Sequence, residues 1–511
     1  MRLLILMRAL LRLLFRASLP STEGRRDSYA FRDTDDTALG KAVGYDLQQR
    51  GGESGFYLLQ RGVDAFAARA ALAYRAERSI DAQYYLLHVD LVGKLFLDML
   101  LKAADRGVRV RLLIDDMALN PRKDVGAAAL NAHPNIEIRV FNPFGRGASR
   151  WLQFLSRFGD VTRRMHNKSF TVDNQVTVVG GRNIGDEYFE ANPDLRFGDL
   201  DVLGVGPVVD RISSVFDLYW NSASSYPVEL LLKHIPGSRQ LAETDRILSE
   251  FTASKQDSDY LESLARSALA ESIRDWSLEF DWGHAEVLYD DPAKITADRV
   301  RRHLRLVSRL QTYTADIAGE LLIFSPYFVP GTQGVETLVQ LRERGVRVRV
   351  ITNSLASTDV AAVHAGYSRY RKPLLRAGVE LYEVDHSLTR EEREDRKGPR
   401  ATSKASLHAK SFVIDSARVF IGSLNLDPRS VVENTEIGIM IESPVMAADM
   451  HEGFAQIARA AAFRVALEDD SLRWYRDTAD RQRVFTNEPH TGFWRRFAAG
   501  LLRLLPLESQ L

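Results

Sequence analysis

The sequence predicts a duplicated α/β fold, in which two domains of one design, each a sheet covered by helices, meet across a pseudo-twofold axis. Three observations predict it. The block Arg106-Gly-Val-Arg-Val-Arg111 returns as Arg344-Gly-Val-Arg-Val-Arg349. Strand-like and helix-like stretches alternate around both blocks. A His-x-Lys motif then follows each block, at His166 and at His408. The offset between the copies stays at about 240 residues throughout, so a whole domain is repeated rather than a single loop.

The elements follow in the same order in each copy. An apolar run at 80–86 contains Tyr84-Tyr85, and its counterpart at 321–329 contains Tyr327-Phe328. Helix-like stretches at 94–105 and 334–343 come next. They lead into the repeated blocks, which open apolar strands at 108–114 and 346–351. Ile136-Glu-Ile-Arg-Val140 is then matched by Val379-Glu-Leu-Tyr-Glu383. Such alternation implies a largely parallel sheet with helices on its faces. The join falls within 235–290, where polar residues at 254–259 read as a connection. The expected division is 1–20 as a membrane-interface segment, 21–250 and 251–490 as the two domains, and 491–511 as a C-terminal amphipathic segment. The stretch 387–406 is dense in charge, with Gly and Pro, and leads directly into the second motif. A solvated surface loop and an active-site lid both fit it.

The chemistry lies in the motifs. The first reads His166-Asn-Lys168, four residues, Asp173, six residues, Gly180-Gly181-Arg182-Asn183. The second reads His408-Ala-Lys410, four residues, Asp415, six residues, Gly422-Ser423-Leu424-Asn425. Five fixed residue types at fixed spacing match by accident with odds on the order of 10⁻⁶ or less per start at ordinary residue frequencies. Two matches at repeat-equivalent places are not accident. Residues i and i+2 of a strand share a face, about 6.6 Å apart. His166 with Lys168, and His408 with Lys410, can therefore address one ligand. Asp173-Asn174 and Asp415-Ser416 read as hairpin turns, and Asn183 and Asn425 can donate to an oxygen anion.

Brought together, the two hairpins make a phosphoryl-transfer site. One imidazole attacks phosphorus and holds a covalent intermediate. The other donates a proton to the departing alkoxide. Two Lys and two Asn stabilise charge on the phosphoryl oxygens. Lys supplies the positive charge that Mg²⁺ supplies elsewhere, so no metal or other cofactor is called for. A lysine beside each histidine disfavours a bound cation. Asp173 and Asp415, at the turns, can orient the lysines or the hairpins. Glu436, and Asp199 or Asp201, stand further along and can orient the imidazoles.

Composition narrows the setting. Of the 511 residues 45% are apolar, enough for real cores, and Lys plus Arg equals Asp plus Glu at 68 each. Global charge gives no case for nucleic acid as a partner. There is no cysteine, which excludes disulfides, thiolate catalysis, Cys-based zinc and an acylated-cysteine anchor. Residues 1–17 read MRLLILMRALLRLLFRA, too broken by Arg to give the ~20 apolar residues of a spanning helix. On a helix Arg8, Arg12 and Arg16 form a narrow stripe beside a leucine face, as in a helix lying among lipid headgroups. An uncleaved anchor or secretory signal is the other reading. At the other end Phe493, Trp494, Phe497, Leu501, Leu502, Leu504 and Leu505 interleave with Arg495, Arg496 and Arg503. That pattern suits an interfacial helix or one docked on the protein's own core.

With duplicated HxK(x)4D(x)6G(S/G)xN motifs, the chain resembles the phospholipase D superfamily. It is most similar there to the bacterial cardiolipin synthases of the C type. The resemblance runs over residues 66–507 and includes Ile80-Asp-Ala-Gln-Tyr-Tyr85, Phe141-Asn-Pro-Phe144, Thr352-Asn-Ser-Leu355, Val363-His-Ala-Gly-Tyr367 and Asn425-Leu-Asp-Pro-Arg-Ser430. It implies two phospholipase D-type domains, each a mixed sheet flanked by helices, with the active site at their interface. It implies that His166, Lys168, Asp173, His408, Lys410 and Asp415 are catalytic and that Asn183 and Asn425 contact phosphate. Gly181 departs from the pattern, where many members carry Ser; only Ser423 keeps the hydroxyl. The resemblance further implies transfer of a phosphatidyl group to phosphatidylglycerol, from phosphatidylethanolamine or a second phosphatidylglycerol. The expected place is a bacterial inner membrane, with the enzyme peripheral or interfacially anchored, on the cytoplasmic side. His364 and Tyr367 are candidates for headgroup contact or for packing. The need for a helper protein is left open by the sequence. Hydrolysis of a phospholipid or of nucleic acid by the same fold, and a non-catalytic lipid-binding role, are the competing readings. A nuclease would need a basic groove with stacking aromatics, and two intact motifs argue against a non-catalytic chain.

Overall fold

A computed structural model describes residues 19–117, 128–145, 150, 153, 161–192, 195–385, 404–477 and 481–504. Residues 1–17, most of 387–406 and the end of the C-terminal segment lie outside the described residues.

Two large sheets carry the chain. The first runs Asp281–Gly283, Ser54–Leu59, Asp201–Val205, Val176–Gly180, Ser169–Val172, Ser79–Tyr84, Arg109–Asp115, Ile136–Phe141, Ser225–Pro227. The second runs Ala285–Tyr289, Ile437–Glu442, Arg418–Gly422, Ser411–Ile414, Glu320–Phe324, Arg347–Asn353, Glu380–Val384, Ala462–Glu468, Ser471–Asp477, Gln482–Phe485. In each, three central strands pair in parallel and the rest are antiparallel. The sheets are therefore mixed, not largely parallel. The alternating elements predict only the central three; the motif hairpins must pair antiparallel because their turns are too short for a crossover. Asp173 and Asn174 both have φ 51°, and Asp415 and Ser416 have φ 52° and 51°. These are left-handed positions that Asn and Asp tolerate in two-residue hairpin turns.

The registers repeat as well. Ile80 faces Val172 in the first sheet, and Leu321 faces Ile414 in the second. The central strands are buried along their length, as expected for parallel strands covered on both faces. The two halves share one apolar core. Leu113, Met165, Val179 and Val202 of the first pack in a cluster with Val413, Ile421, Ile437 and Met446 of the second, around helix Pro207–Trp220. A dry shared core fixes the halves against each other.

The chain passes between sheets at Gly283 and Ala285, within 235–290 but well past the 250/251 division. Helices Ser238–Ser254, Asp259–Ala265 and Ala268–Asp275 stay with the first half. Their Leu248, Tyr260, Leu269 and Ile273 are buried in its core, against helices Gly62–Arg75 and Leu91–Asp105. The polar stretch at 254–259 is thus a turn between helices, not the join. At the C-terminus, helix Phe493–Leu504 lies on helix Ala361–Tyr367. Among the described residues no helix is long and apolar enough to cross a membrane.

Candidate active site

Each motif is delivered by its own half and gripped by the other. Before His166, the backbone of 164–166 bridges to Thr435 of the second half: His166 N donates to Thr435 O and Thr435 N to Arg164 O, both at 2.9 Å. Before His408, strand Lys404–Leu407 pairs in parallel with Leu195–Gly198 of the first half, and His408 N donates to Gly198 O at 2.7 Å. Within its own half, each motif hangs from the end of the third sheet strand. Asp115 accepts from Met165 N at 2.9 Å and pairs with Arg164 at 3.1 Å. Asn353 accepts from Leu407 N and donates to Leu407 O, each at 2.9 Å. Burial pushes the Asp115 carboxyl up to about 6 against the pull of Arg164. Asp115 and Asn353 were missed as site residues, although each stands at the same distance beyond its repeated Arg-Gly-Val-Arg-Val-Arg block.

The imidazoles are partnered crosswise. His166 of the first half engages Glu436 of the second, Nδ1 to Oε2 at 2.9 Å. His408 of the second engages Asp199 of the first, Nδ1 to Oδ2 at 2.5 Å. Gly180 faces Asp201 and Gly422 faces Gly438 across equivalent strands, so Asp199 and Glu436 hold equivalent positions. Asp201 is occupied elsewhere, paired with Arg69 at 2.8 Å and Arg182 at 3.4 Å. A carboxylate at Nδ1 places the ring hydrogen there and leaves the Nε2 lone pair free to react. An aromatic edge backs each ring, Tyr85 against His166 at 5.0 Å and Tyr188 against His408 at 5.1 Å.

Both lysines are buried beside their histidines. Lys168 donates to His166 O at 2.6 Å; Lys410 donates to His408 O, and its ammonium stands 2.7 Å from His408 Nδ1. Burial pushes the His166 imidazole well below its ordinary range, with the charges of Lys168, Lys410 and His408 adding to it. Burial and Lys410 likewise lower His408. Burial depresses both ammonium groups, Lys410 to about 8. Each half thus feels the other's cation. Burial pushes Glu436 up to about 7, although Lys168 opposes it. For Asp199 burial acts upward too, but the His408 and Lys410 charges outweigh it and hold the carboxylate below its ordinary range.

The other expected residues divide. Asn183 donates to the Tyr188 hydroxyl at 3.0 Å and accepts from Leu86 N at 3.3 Å. Asn425 is buried with its Oδ1 unpartnered. The Ser423 hydroxyl is turned onto Glu436. Gly181 has a physical reason: a Cβ there would stand 2.2 Å from Asp199 Oδ1. Asp173 and Asp415 lie at the far ends of their hairpins, roughly 17 Å of extended strand beyond each lysine. Asp173 accepts the backbone N–H of Glu77, Arg78 and Ser79 at 3.0, 2.8 and 2.8 Å. Asp415 accepts those of Ala318, Gly319 and Glu320 at 3.0, 2.7 and 2.9 Å. His364 and Tyr367 belong to a buried ion cluster: His364 Nε2 lies 2.6 Å from Arg371, and Tyr367 donates to Glu383 at 3.1 Å. For a metal, the described residues gather His88, Asp90 and Glu187, with ligand atoms within 4.8 Å of one another. His88 lies 3.3 Å from Glu187, and the hydrogen bond between them raises the His88 imidazole.

The family described as "Cardiolipin synthase, PLD-like domain" matches residues 71–220 and 316–458, one stretch in each half. Cardiolipin synthase C of Escherichia coli (strain K12) is 41% identical over 92% of this chain and 99% of its own. Cardiolipin synthase B of Shigella flexneri is 24% identical over 75% of each chain. Among solved structures, phosphatidylserine synthase of Haemophilus influenzae Rd KW20 has a similar fold, with TM-score 0.53 and 13% identity over 90% of this chain and 95% of its own. The chain belongs to the cardiolipin synthase family of phospholipase D-like enzymes.

Proposed function

We propose that this enzyme transfers a phosphatidyl group from phosphatidylethanolamine or phosphatidylglycerol to phosphatidylglycerol, through a phosphohistidine, at the surface of a bacterial inner membrane. The observation that carries the reading is the crossed pairing of His166 with Glu436 and His408 with Asp199. Neither half holds a complete imidazole–carboxylate pair, so the halves act as one site.

The reaction balances as two displacements at one phosphorus. Nε2 of one imidazole forms a bond to phosphorus while the bond to the donor's headgroup oxygen breaks. The second imidazole, entering protonated, gives its proton to that oxygen. It then takes the proton of the acceptor's glycerol hydroxyl. The new alkoxide attacks phosphorus and frees the first imidazole. Lys168, Lys410, Asn183 and Asn425 face the non-bridging oxygens, and an incoming phosphodiester restores the proton affinity that burial takes from the lysines. Asp173 and Asp415 act at a distance, by fixing hairpin against sheet. A dry site favours an alcohol over water in the second step.

Purified enzyme incubated with defined mixtures of the two lipids should release cardiolipin, identified by mass. Phosphatidic acid as the sole product would make it a hydrolase instead, and cleavage of added nucleic acid would make it a nuclease. Omitting each lipid in turn identifies the donor. Removing residues 1–17 should weaken co-sedimentation with vesicles; unchanged sedimentation would assign membrane contact elsewhere.

A further inference from the structure

We infer that helix Phe493–Leu504 is a membrane anchor that lays one face on an anionic lipid surface while its other face, seated on helix Ala361–Tyr367, holds the rim of the active site against that surface. The inference deepens the lipid-transfer reading and rests on it.

The helix has two distinct faces. Toward the protein, Ala499 is buried, Arg495 donates to Thr358 O at 3.1 Å, and Arg369 donates to Arg503 O. Toward solvent, Phe493, Trp494, Phe497 and Leu501 are 64%, 76%, 56% and 54% exposed. At about 100° per residue these four fall within one arc of roughly 100°. The three rings form a cluster, Phe493 5.4 Å from Trp494 and 6.2 Å from Phe497. So much apolar surface on one short element marks an interaction site.

Charge selects the occupant. The helix reads FWRRFAAGLLRL, with three arginines and no acidic residue. Arg496 and Arg503 lie together on one flank of the helix, roughly 60–80° from the edge of the apolar arc, Arg496 also donating to Thr491 O at 2.7 Å; cations beside the inserted apolar side chains suit an anionic headgroup layer.

The seat connects to the catalytic centre. Thr358, which receives Arg495, precedes Asp359, which accepts the Tyr327 hydroxyl at 2.8 and 2.7 Å. Tyr327 lies within electrostatic reach of Tyr188, whose ring backs His408. Beneath the helix, Arg371 joins Glu383 at 2.9 Å to Glu488 at 2.6 Å, with His364 alongside. This buried cluster fastens the segment leading into the helix to the second sheet. Helix and seat are thus tied to the second sheet, with His364 and Tyr367 at their base.

The absence of cysteine makes a direct test simple. Leu501→Cys in the full chain, labelled with a polarity-sensitive fluorophore, should shift to the blue and be quenched by spin-labelled acyl chains when phosphatidylethanolamine–phosphatidylglycerol vesicles are added. Vesicles of phosphatidylcholine alone should do far less. Phe497→Asp should lower turnover of vesicle-borne lipid about tenfold or more, yet leave turnover of monomeric short-chain phosphatidylglycerol unchanged. A label that stays in water while the chain floats with vesicles overturns the inference. So does equal loss on both substrates, or a change in oligomeric state without a change in vesicle binding, which would give the face to a second copy. If the unaltered enzyme forms cardiolipin from neither substrate, the transfer reading fails instead, and the label experiment still reports on the helix.

Discussion

Asp199 and Glu436 stand at equivalent positions in the two halves, yet they treat their histidines differently. Asp199 is the shorter side chain; it lies where Gly181 has no Cβ, and nearby cations keep it ionised. Glu436 is one methylene longer, carries the Ser423 hydroxyl, and is pushed up to about 7 by burial. At neutral pH His408 therefore has a permanent anion behind it, whereas His166 has one only part of the time. A duplicated site can thus divide labour through one side-chain length and the Gly-or-Ser position facing it. An anion behind the ring raises its proton affinity, so we propose that His408 carries protons and His166 is the neutral nucleophile.

The largest test removes either ring. His166→Ala and His408→Ala should each lower transfer by about 10⁴-fold or more with the far-ultraviolet spectrum unchanged, and the double variant should be no worse than either, since the pair acts as a unit. A donor with an activated leaving group, which needs no proton, separates the roles. With it, His408→Ala should accumulate a phosphatidyl adduct at residue 166, detected by mass after acid-free quenching, while His166→Ala should form none. An adduct at residue 408 would reverse the comparison.

Next come the carboxylates. Asp199→Asn should lower turnover by about 10³-fold, by the same factor from pH 6 to 8, because the native carboxylate is ionised throughout that range. Glu436→Gln resembles the protonated acid. It should stay within a few-fold of the parent at pH 6, where Glu436 is mostly neutral. It should fall behind by about tenfold or more at pH 8, where Glu436 has lost its proton. Parallel pH profiles for the two variants would mean the halves are equivalent after all.

Smaller effects come from the Gly-or-Ser position. Gly181→Ser brings a Cβ into the space of Asp199 Oδ1, so Asp199 must turn away from His408; a loss of about 10- to 100-fold in kcat follows from misorienting the ring. Ser423→Ala removes one hydrogen bond from Glu436 and should cost only a few-fold. Equal losses would show that steric room at 181 is not what sets the halves apart.

Much of this was legible in the sequence because the chain repeats. Equal spacing in the two motifs gave the histidines, the lysines and the hairpins. The repeated strand blocks gave the central sheet of each half. Glu436, and Asp199 or Asp201, were legible as acids that can orient the imidazoles, but local spacing cannot reveal that Glu436 and Asp199 each reach the opposite half's ring. Two features stayed hidden for a related reason, the passage at Gly283 rather than near 250 and the hanging of each motif from Asp115 or Asn353, because both depend on long-range pairing. The mixed character of the sheets, which the alternating elements do not show, was implied by the family resemblance alone. Polar residues at 254–259 resembled a linker because a helix–helix turn and a domain join draw on the same residues.

The least effect on chemistry, and the sharpest contrast with the family expectation, concerns Asp173 and Asp415. Each holds three backbone N–H groups at the start of its half's first central strand, far from the rings. Asp173 is fully buried, whereas the Asp415 side chain is 23% exposed. Asp173→Ala leaves its donors without water and should destabilise the fold by about 2–4 kcal/mol, against about 1 kcal/mol for Asp415→Ala, by thermal or urea unfolding. The two also respond oppositely to pH. Backbone N–H groups outweigh the burial that acts on Asp415 and hold its carboxyl below the ordinary value, so its contribution is present above the unfolded value and is lost as pH falls through the lower, folded one. Burial raises Asp173, so its net contribution diminishes as pH rises through its folded value. Below the unfolding temperature, each variant should keep kcat within a few-fold of the parent. If Asp173→Ala stays folded and loses turnover by about 10³-fold, the residue acts on the reacting atoms and the hairpin-anchoring role is wrong.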